Sequence, residues 1–309
     1  MFGKTVVRDM INRSAENETD RRLFLKSAGV AGLGAVGGTA LTGLGISPAS
    51  AAAPSDGAIL NFALNLEYLE AEFYSHAAFG HGLDGSLTSG KGRHGGVIGG
   101  RKVHFENRKI RRIATEIAHD EVAHVKFLRS ALGGAKVARP QIDLKHSFTA
   151  AAQAAGLIGK GQSFDPFENS ANFLLAAFIF EDVGVTAYKG AAPLINNKTY
   201  LGAAAGILAV EAYHAGIVRD SLYDMGLRGA ANKISDARDS LDGKSNRDQG
   251  PRGKGGSANL VPTDKNSIAF GRSADQVLNV VYLNPKKVDR GGFYPRGVNG
   301  AISVSGGQK

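Results

Sequence analysis

Beyond residue 56 the apolar positions collect into four long runs of helical period, at about 57–79, 103–132, 165–190 and 199–225. Ser55 or Asp56 caps the first run, and Gly133-Gly134 and Gly226 stop the second and fourth. "DPFE" opens the third, with Asp165 as N-cap, Pro166 as the first helical residue and Glu168 closing a capping box. Residues 80–100 hold nine Gly, which predicts no regular structure there. A short helix is expected at 148–157. After residue 227 the chain turns to Gly, Asn, Asp, Lys and Pro, broken by one apolar stretch, "QVLNVVYL". This predicts an irregular extension over 228–309 packed on the helices, with "GKSNRDQGPRGKGG" as a mobile loop.

Fewer than ten residues link the third and fourth runs, so these two are expected to be antiparallel neighbours. The link between the second and third is far longer. Two antiparallel pairs joined by one long crossover make an all-α, ferritin-like four-helix bundle, here spanning 54–227. With 309 residues, 43% hydrophobic and 21% charged, the chain can bury a sizeable core. It contains no Cys, which excludes disulfides, cysteine nucleophiles and thiolate metal sites; any metal must be held by oxygen and nitrogen.

The apolar stripes carry unexpected polar residues. "LAVEAYHAGIV" places Glu211 and His214 among small and apolar neighbours, and Glu181 follows "FLLAAFIF". Two signatures each occur twice. "EVAHVKFLRSAL" and "EAYHAGIVRDSL" both read E-x-x-H-x-x-x-x-R-x-x-L, giving Glu121 with His124 and Glu211 with His214. "EYLEAEFY" and "EDVGVTAY" both read Glu, six residues, Tyr, giving Glu67 with Tyr74 and Glu181 with Tyr188. Residues three apart on a helix lie about 60° apart and about 4.5 Å along the axis, so each Glu and His point side by side.

Four carboxylates and two imidazoles then face one core. Buried together, the carboxylates repel strongly unless cations neutralise them. Two divalent ions cancel the four charges, and a carboxylate-rich set with one His per metal suits iron or manganese. The expected cofactor is therefore a pair of such ions held by Glu67, Glu121, His124, Glu181, Glu211 and His214, with two Glu bridging. Glu121 lies in the charged "AHDEVAH" and on its own reads equally as a surface residue. Glu116 and His119 fall off the ligand face, and Glu72 points away. Glu70, one turn past Glu67, is a further carboxylate at the site or a partner to a ligand. Tyr74 and Tyr188 read as hydrogen-bond donors that orient Glu ligands. Arg129 and Arg219 either pair with carboxylates near the site or are exposed.

"NFALNLEYLEAEFY", "DEVAHVKFLRSALG", the apolar run into Glu181, "LVPTDKNSIAFGRSADQVLNVVYLNP" and "GGFYPRGVNG" resemble the desiccation-related branch of the ferritin-like superfamily, over about residues 56–300. The resemblance puts the six Glu and His above on the family's metal-ligand positions. It implies a ferroxidase, peroxidase or catalase-like oxidoreductase, acting on a small oxidant or ferrous iron in desiccation or oxidative stress. The alternative is a non-enzymatic stress-protective or envelope-associated protein whose metal site is stabilising or vestigial.

The first 53 residues read as a leader. "DRRLFLKSAGVAGLGAVGGTALTGLGISPASAAA" resembles a twin-arginine export signal, with Arg21 and Arg22 as the pair and a small-x-small cleavage site near residue 51. Export to the periplasm or outside the cell is the expectation, with no membrane span after the leader is removed. The formal net charge is +9, and +7 beyond residue 53 because the leader holds six Lys/Arg and four Asp/Glu. The basic segment "GRKVHFENRKIRR" reads as a solvated helix start, so nucleic acid is not an expected partner. A homo-oligomer is compatible with the chain; a 24-subunit cage is not implied.

Overall fold

The computed structural model describes residues 53–307. The leader, with Arg21 and Arg22, lies outside the described residues. The frame consists of four long helices, α1 (Asp56–Phe79), α2 (Arg108–Leu132), α4 (Ser170–Ala191) and α5 (Lys198–Asp224), with a short α3 (His146–Ala154) in the crossover. α1 packs along α2, and α4 along α5. The molecule is mostly helical, and its arrangement is that of the ferritin-like bundle.

Side chains that satisfy the first free amides of each helix fix its start. Ser55 accepts from Ala58 N, Asn107 from Lys109 N and Ile110 N, Asn169 from Asn172 N, and Asn197 from Thr199 N and Tyr200 N. The third long helix therefore starts at Ser170 and not at "DPFE". Asp165 instead accepts from Phe167 N in the turn before the helix, and Glu168 accepts from the side chain of Asn172. The expected capping box does not form because Asn169, one residue further on, is the better-placed cap. α2 likewise begins at Arg108 behind Asn107, five residues later than its apolar pattern suggests. α1 ends at Gly80, whose φ of +88° lets the chain leave the last turn.

The four helices are not equivalent in burial. α1 and α4 are buried on nearly every face, whereas α2 and α5 each bury one face only. The two glutamate-tyrosine helices thus form the centre, and the two E-x-x-H helices flank them. The apolar runs Ser170–Leu194 and Lys198–Asp224 are each long and apolar enough to cross a membrane. The first is 89% buried within the fold and serves as its core, and the second is 33% buried. A cluster of Phe73, Phe148, Phe173, Phe180 and Phe293 joins α1, α3, α4 and the C-terminal residues into one core.

The Gly-rich 80–100 segment is tied down by a short parallel pairing of β1 (Val97–Ile98) with β2 (Ile142–Asp143) in the crossover. The extension after residue 227 is irregular over most of its described length, as expected, but not throughout. It contains two α-helices, α6 (Arg228–Asp239) and α7 (Ala274–Val281), and lies in the same compact unit as the bundle. α6 was illegible as a core helix because Arg238 and Ser235, polar in sequence, are among its buried residues.

Those buried charges are matched. Arg219 on α5 and Arg238 on α6 both bind Asp182 on α4, at 2.7 and 2.8 Å. Arg238 also binds Asp248 at 2.6 Å, and Arg272 joins Asp248 to Asp242. Three Arg and three Asp form a charge-balanced buried network, which ties the "GKSNRDQGPRGKGG" segment to the fold through Asp248. At the other end of the tail, Asn299 and Asn65 exchange two hydrogen bonds, and Tyr294 donates to Asn65 O at 2.7 Å.

Candidate metal centre

Each of the four long helices delivers its marked residues to one point. Glu67, Glu121, His124, Glu181, Glu211 and His214 are all buried, the four Glu at 1% exposure or less. His124 Nδ1 lies 3.2 Å from Glu67, 3.4 Å from Glu121 and 3.8 Å from Glu211. His214 Nδ1 lies 3.1 Å from Glu121 and 3.6 Å from Glu181. Glu121 therefore sits between the two imidazoles, one oxygen toward each. Glu211 approaches His124 alone, so of the two Glu expected to bridge, only Glu121 faces both halves. Donor atoms of Glu67, Glu121, His124 and Glu211 all lie within 4.8 Å of one another and form a group able to hold a metal ion.

The tyrosines act across the bundle. Tyr74 on α1 donates to Glu181 Oε1 on α4, and Tyr188 on α4 donates to Glu67 Oε1 on α1. Each Glu-x6-Tyr helix thus orients the glutamate of the other, which requires α1 and α4 to run antiparallel. The oxygens left over have no such partner. Glu67 Oε2, Glu181 Oε2, both oxygens of Glu121 and Glu211, and Nδ1 of both His are eight buried atoms without a hydrogen bond. Buried polar atoms are nearly always paired, so eight converging lone-pair donors fit a cationic ligand.

The carboxylates and imidazoles share protons in keeping with their positions. Burial, with the nearby Glu121 charge, raises Glu67 to about 7, and burial raises Glu181 to about 8, against the pull of His124 and His214 respectively. Burial and then the Glu70 and Glu121 charges hold Glu211 well above the usual range. For Glu121 burial acts upward too, but the two flanking imidazoles outweigh it and bring it to about 2. The same contacts outweigh burial at the histidines, lifting His124 to about 11 and His214 to about 9.

Glu70 is buried beside this set, and burial followed by the charges of Glu121, Glu67 and Glu181 holds its carboxyl well above the usual range. Glu116 and His119 are exposed. Glu72 faces away from the centre, yet is buried against Arg139. Both repeat arginines are buried: Arg129 donates to Tyr68 Oη at 2.6 Å and to Ser86 and Ser89 carbonyls, and Arg219 to Asp182 and to the carbonyls of Gln249 and Asn259. Neither pairs with a carboxylate of the cluster.

Two residues were missed in the sequence. Asp120 Oδ2 lies 3.1 Å from Nε2 of His214, on the side away from the cluster. Gly184 occupies the position in "EDVGVTAY" that Glu70 holds in "EYLEAEFY"; a Cβ there would meet Glu211 Oε2 at 2.3 Å and Glu70 Oε1 at 3.4 Å. Aligning the paired motifs residue by residue exposes both signals. Gly184→Ala is expected to displace Glu211, weakening manganese(II) binding about tenfold and costing about 1–3 kcal/mol of stability. Titration with the ion and thermal melts measure the two; unchanged affinity would show that Glu211 moves freely.

The model of the ferritin-like domain family matches residues 55–224, which spans all four long helices and every residue of the cluster. The chain belongs to the ferritin-like family. Among its relatives, the desiccation-related protein PCC13-62 of Craterostigma plantagineum is 35% identical over 265 residues, 80% of this chain and 83% of its own. The ferritin-like catalase Nec2 of Nesocodon mauritianus is 30% identical over 265 residues, 79% of this chain and 84% of its own. No solved structure gives a significant match.

Proposed function

We infer that this ferritin-like protein is an exported oxidoreductase that holds two iron or manganese ions and consumes peroxide. The carrying observation is the set of eight buried, converging donor atoms without a hydrogen bond on Glu67, Glu121, His124, Glu181, Glu211 and His214. When bound, a pair of iron or manganese ions supplies one electron from each ion and open positions for a small oxidant. The chain's own groups do the rest. Tyr74 and Tyr188 fix Glu181 and Glu67, and Glu121 spans the two halves. Glu70 Oε1 and Glu211 Oε2 both converge on Gly184, which places a further carboxyl group within reach of the centre. Peroxide is favoured over ferrous iron as substrate by the relative named a ferritin-like catalase. The Arg21-Arg22 leader pattern supports export, and the twin-arginine route carries folded protein, which would let the metal be loaded before crossing.

The relative named for desiccation, not for a reaction, favours a second reading in which the bundle protects without turnover. Metal analysis of protein from its native compartment, then peroxide-consumption and ferrous-oxidation assays on wild type and Glu211→Ala, separate the two. Bound metal with turnover that the variant lacks is the expected result. Absence of metal in the wild type sinks the first reading, and metal without turnover selects the second.

Metal binding must displace the protons that Glu67, Glu181, His214 and His124 hold below about 7, 8, 9 and 11. A raised pKa means more bound protons at lower pH, so affinity falls as pH falls. Between about pH 7 and 9 it is expected to rise about tenfold per pH unit for each proton displaced. Manganese(II) titrations across that range, with proton release followed in weak buffer, measure the slope; a flat profile contradicts the ligand assignment.

A further inference from the structure

The cluster looks two-fold symmetric in sequence, but one contact breaks the symmetry. Asp120 immediately precedes Glu121 on α2 and reaches across to Nε2 of His214 on α5 at 3.1 Å. The matching position, immediately before Glu211 on α5, is Val210. Valine has no acceptor, and Nε2 of His124 has no hydrogen-bond partner among the described residues. His214 is accordingly fixed from both sides, with Nε2 toward Asp120 and Nδ1 toward Glu121 and Glu181. His124 is fixed only from within, where three carboxylates, Glu67, Glu121 and Glu211, surround its Nδ1. The two halves thus rely on different supports: one is richer in carboxylates, and the other has fewer but a pinned imidazole.

A carboxylate behind a ligating histidine does two things. It holds the tautomer with hydrogen on the outer nitrogen, leaving the inner lone pair free for a metal, and it makes the ring a stronger donor. The half that lacks a third close carboxylate is the half that has this support.

We propose that Asp120 is a positioning residue for one metal position only, that of His214, so that its removal turns a two-ion protein into a one-ion protein. This rests on the metal reading above. Loss of an outer partner weakens an ion by about 10- to 100-fold, and here the loss falls on a single ion. Asp120 is half-exposed on a helix, so Asp120→Ala leaves folding intact, which circular dichroism and a thermal melt check.

The test loads the full chain with manganese(II), challenges it with a chelator, and counts ions per chain by elemental analysis. Wild type is expected to retain two and Asp120→Ala one, with Asp120→Asn, which keeps an acceptor, in between. Combined with His214→Ala, the Asp120 change should add nothing; combined with His124→Ala, it should remove the remaining ion. Two ions retained with unchanged release rates in Asp120→Ala would overturn the proposal, as would loss of both ions together. No manganese in the wild type would instead overturn the metal reading itself.

Discussion

A Glu121→Ala variant is expected to retain less than one metal ion per chain and to keep under about one hundredth of the wild-type peroxide turnover, since losing even an outer partner of a ligand costs about 10- to 100-fold. Glu121 is the one carboxylate that presents an oxygen to both imidazoles, at 3.4 Å and 3.1 Å. It is also the most acidic of the four, held ionised by the two histidines against the effect of burial. Removing it takes a ligand from both positions at once and leaves His124 and His214 facing each other across 6.5 Å between ring centres. Loss of a single ion, with the other retained at wild-type affinity, would show that Glu121 serves one half only. The comparison with Glu211→Ala is informative, because Glu211 approaches His124 alone and its loss is expected to spare the His214 position.

Arg272→Ala is expected to destabilise the fold by about 3–5 kcal/mol, the typical cost of breaking a buried ion pair by removing one partner. For a chain of this size that lowers Tm by roughly 10 °C. Arg272 is 1% exposed and binds Asp242 and Asp248, while its NH1 donates to Thr186 Oγ1 at 2.9 Å. Its backbone carbonyl lies against Gly190, where a Cβ would fall 1.8 Å away. Arg272 makes no hydrogen bond or ion pair with any of the six cluster residues, so metal content at low temperature should be unchanged. A melt shifted by less than about 3 °C would show that the network is held by its other members.

The helices of the bundle and the ligand set were legible because both obey strong periodicity. Glu181 and Glu211 stand out in apolar text, and the doubled E-x-x-H and Glu-x6-Tyr signatures link helices distant in the chain. Asp165 was misread because a capping box and a plain Asx turn look alike until the competing cap, Asn169, is seen to win. The two helices of the tail were illegible for a different reason. The tail's core contributions come from Arg238, Asp248 and Arg272, and charge in sequence reads as solvent-facing unless its partners are known. Arg129 and Arg219 share that difficulty: their repeat was visible, but the carbonyls they bind lie in loops with no periodicity of their own. Asp120 was hidden by its neighbours in "AHDEVAH", where one more acidic residue carries no contrast.

Those two arginines have a thermodynamic meaning. Each stands five residues beyond a histidine of the cluster, on the same helix, and each grips an outer segment: Arg129 the carbonyls of Ser86 and Ser89, Arg219 those of Gln249 and Asn259. The helical turns that present imidazoles inward therefore also fasten the glycine-rich coat outward. Whatever free energy an ion contributes by ordering those turns is shared with the segments attached to them, and linkage makes the exchange reciprocal. A coat held closed tightens the ion by the same factor by which the ion holds the coat.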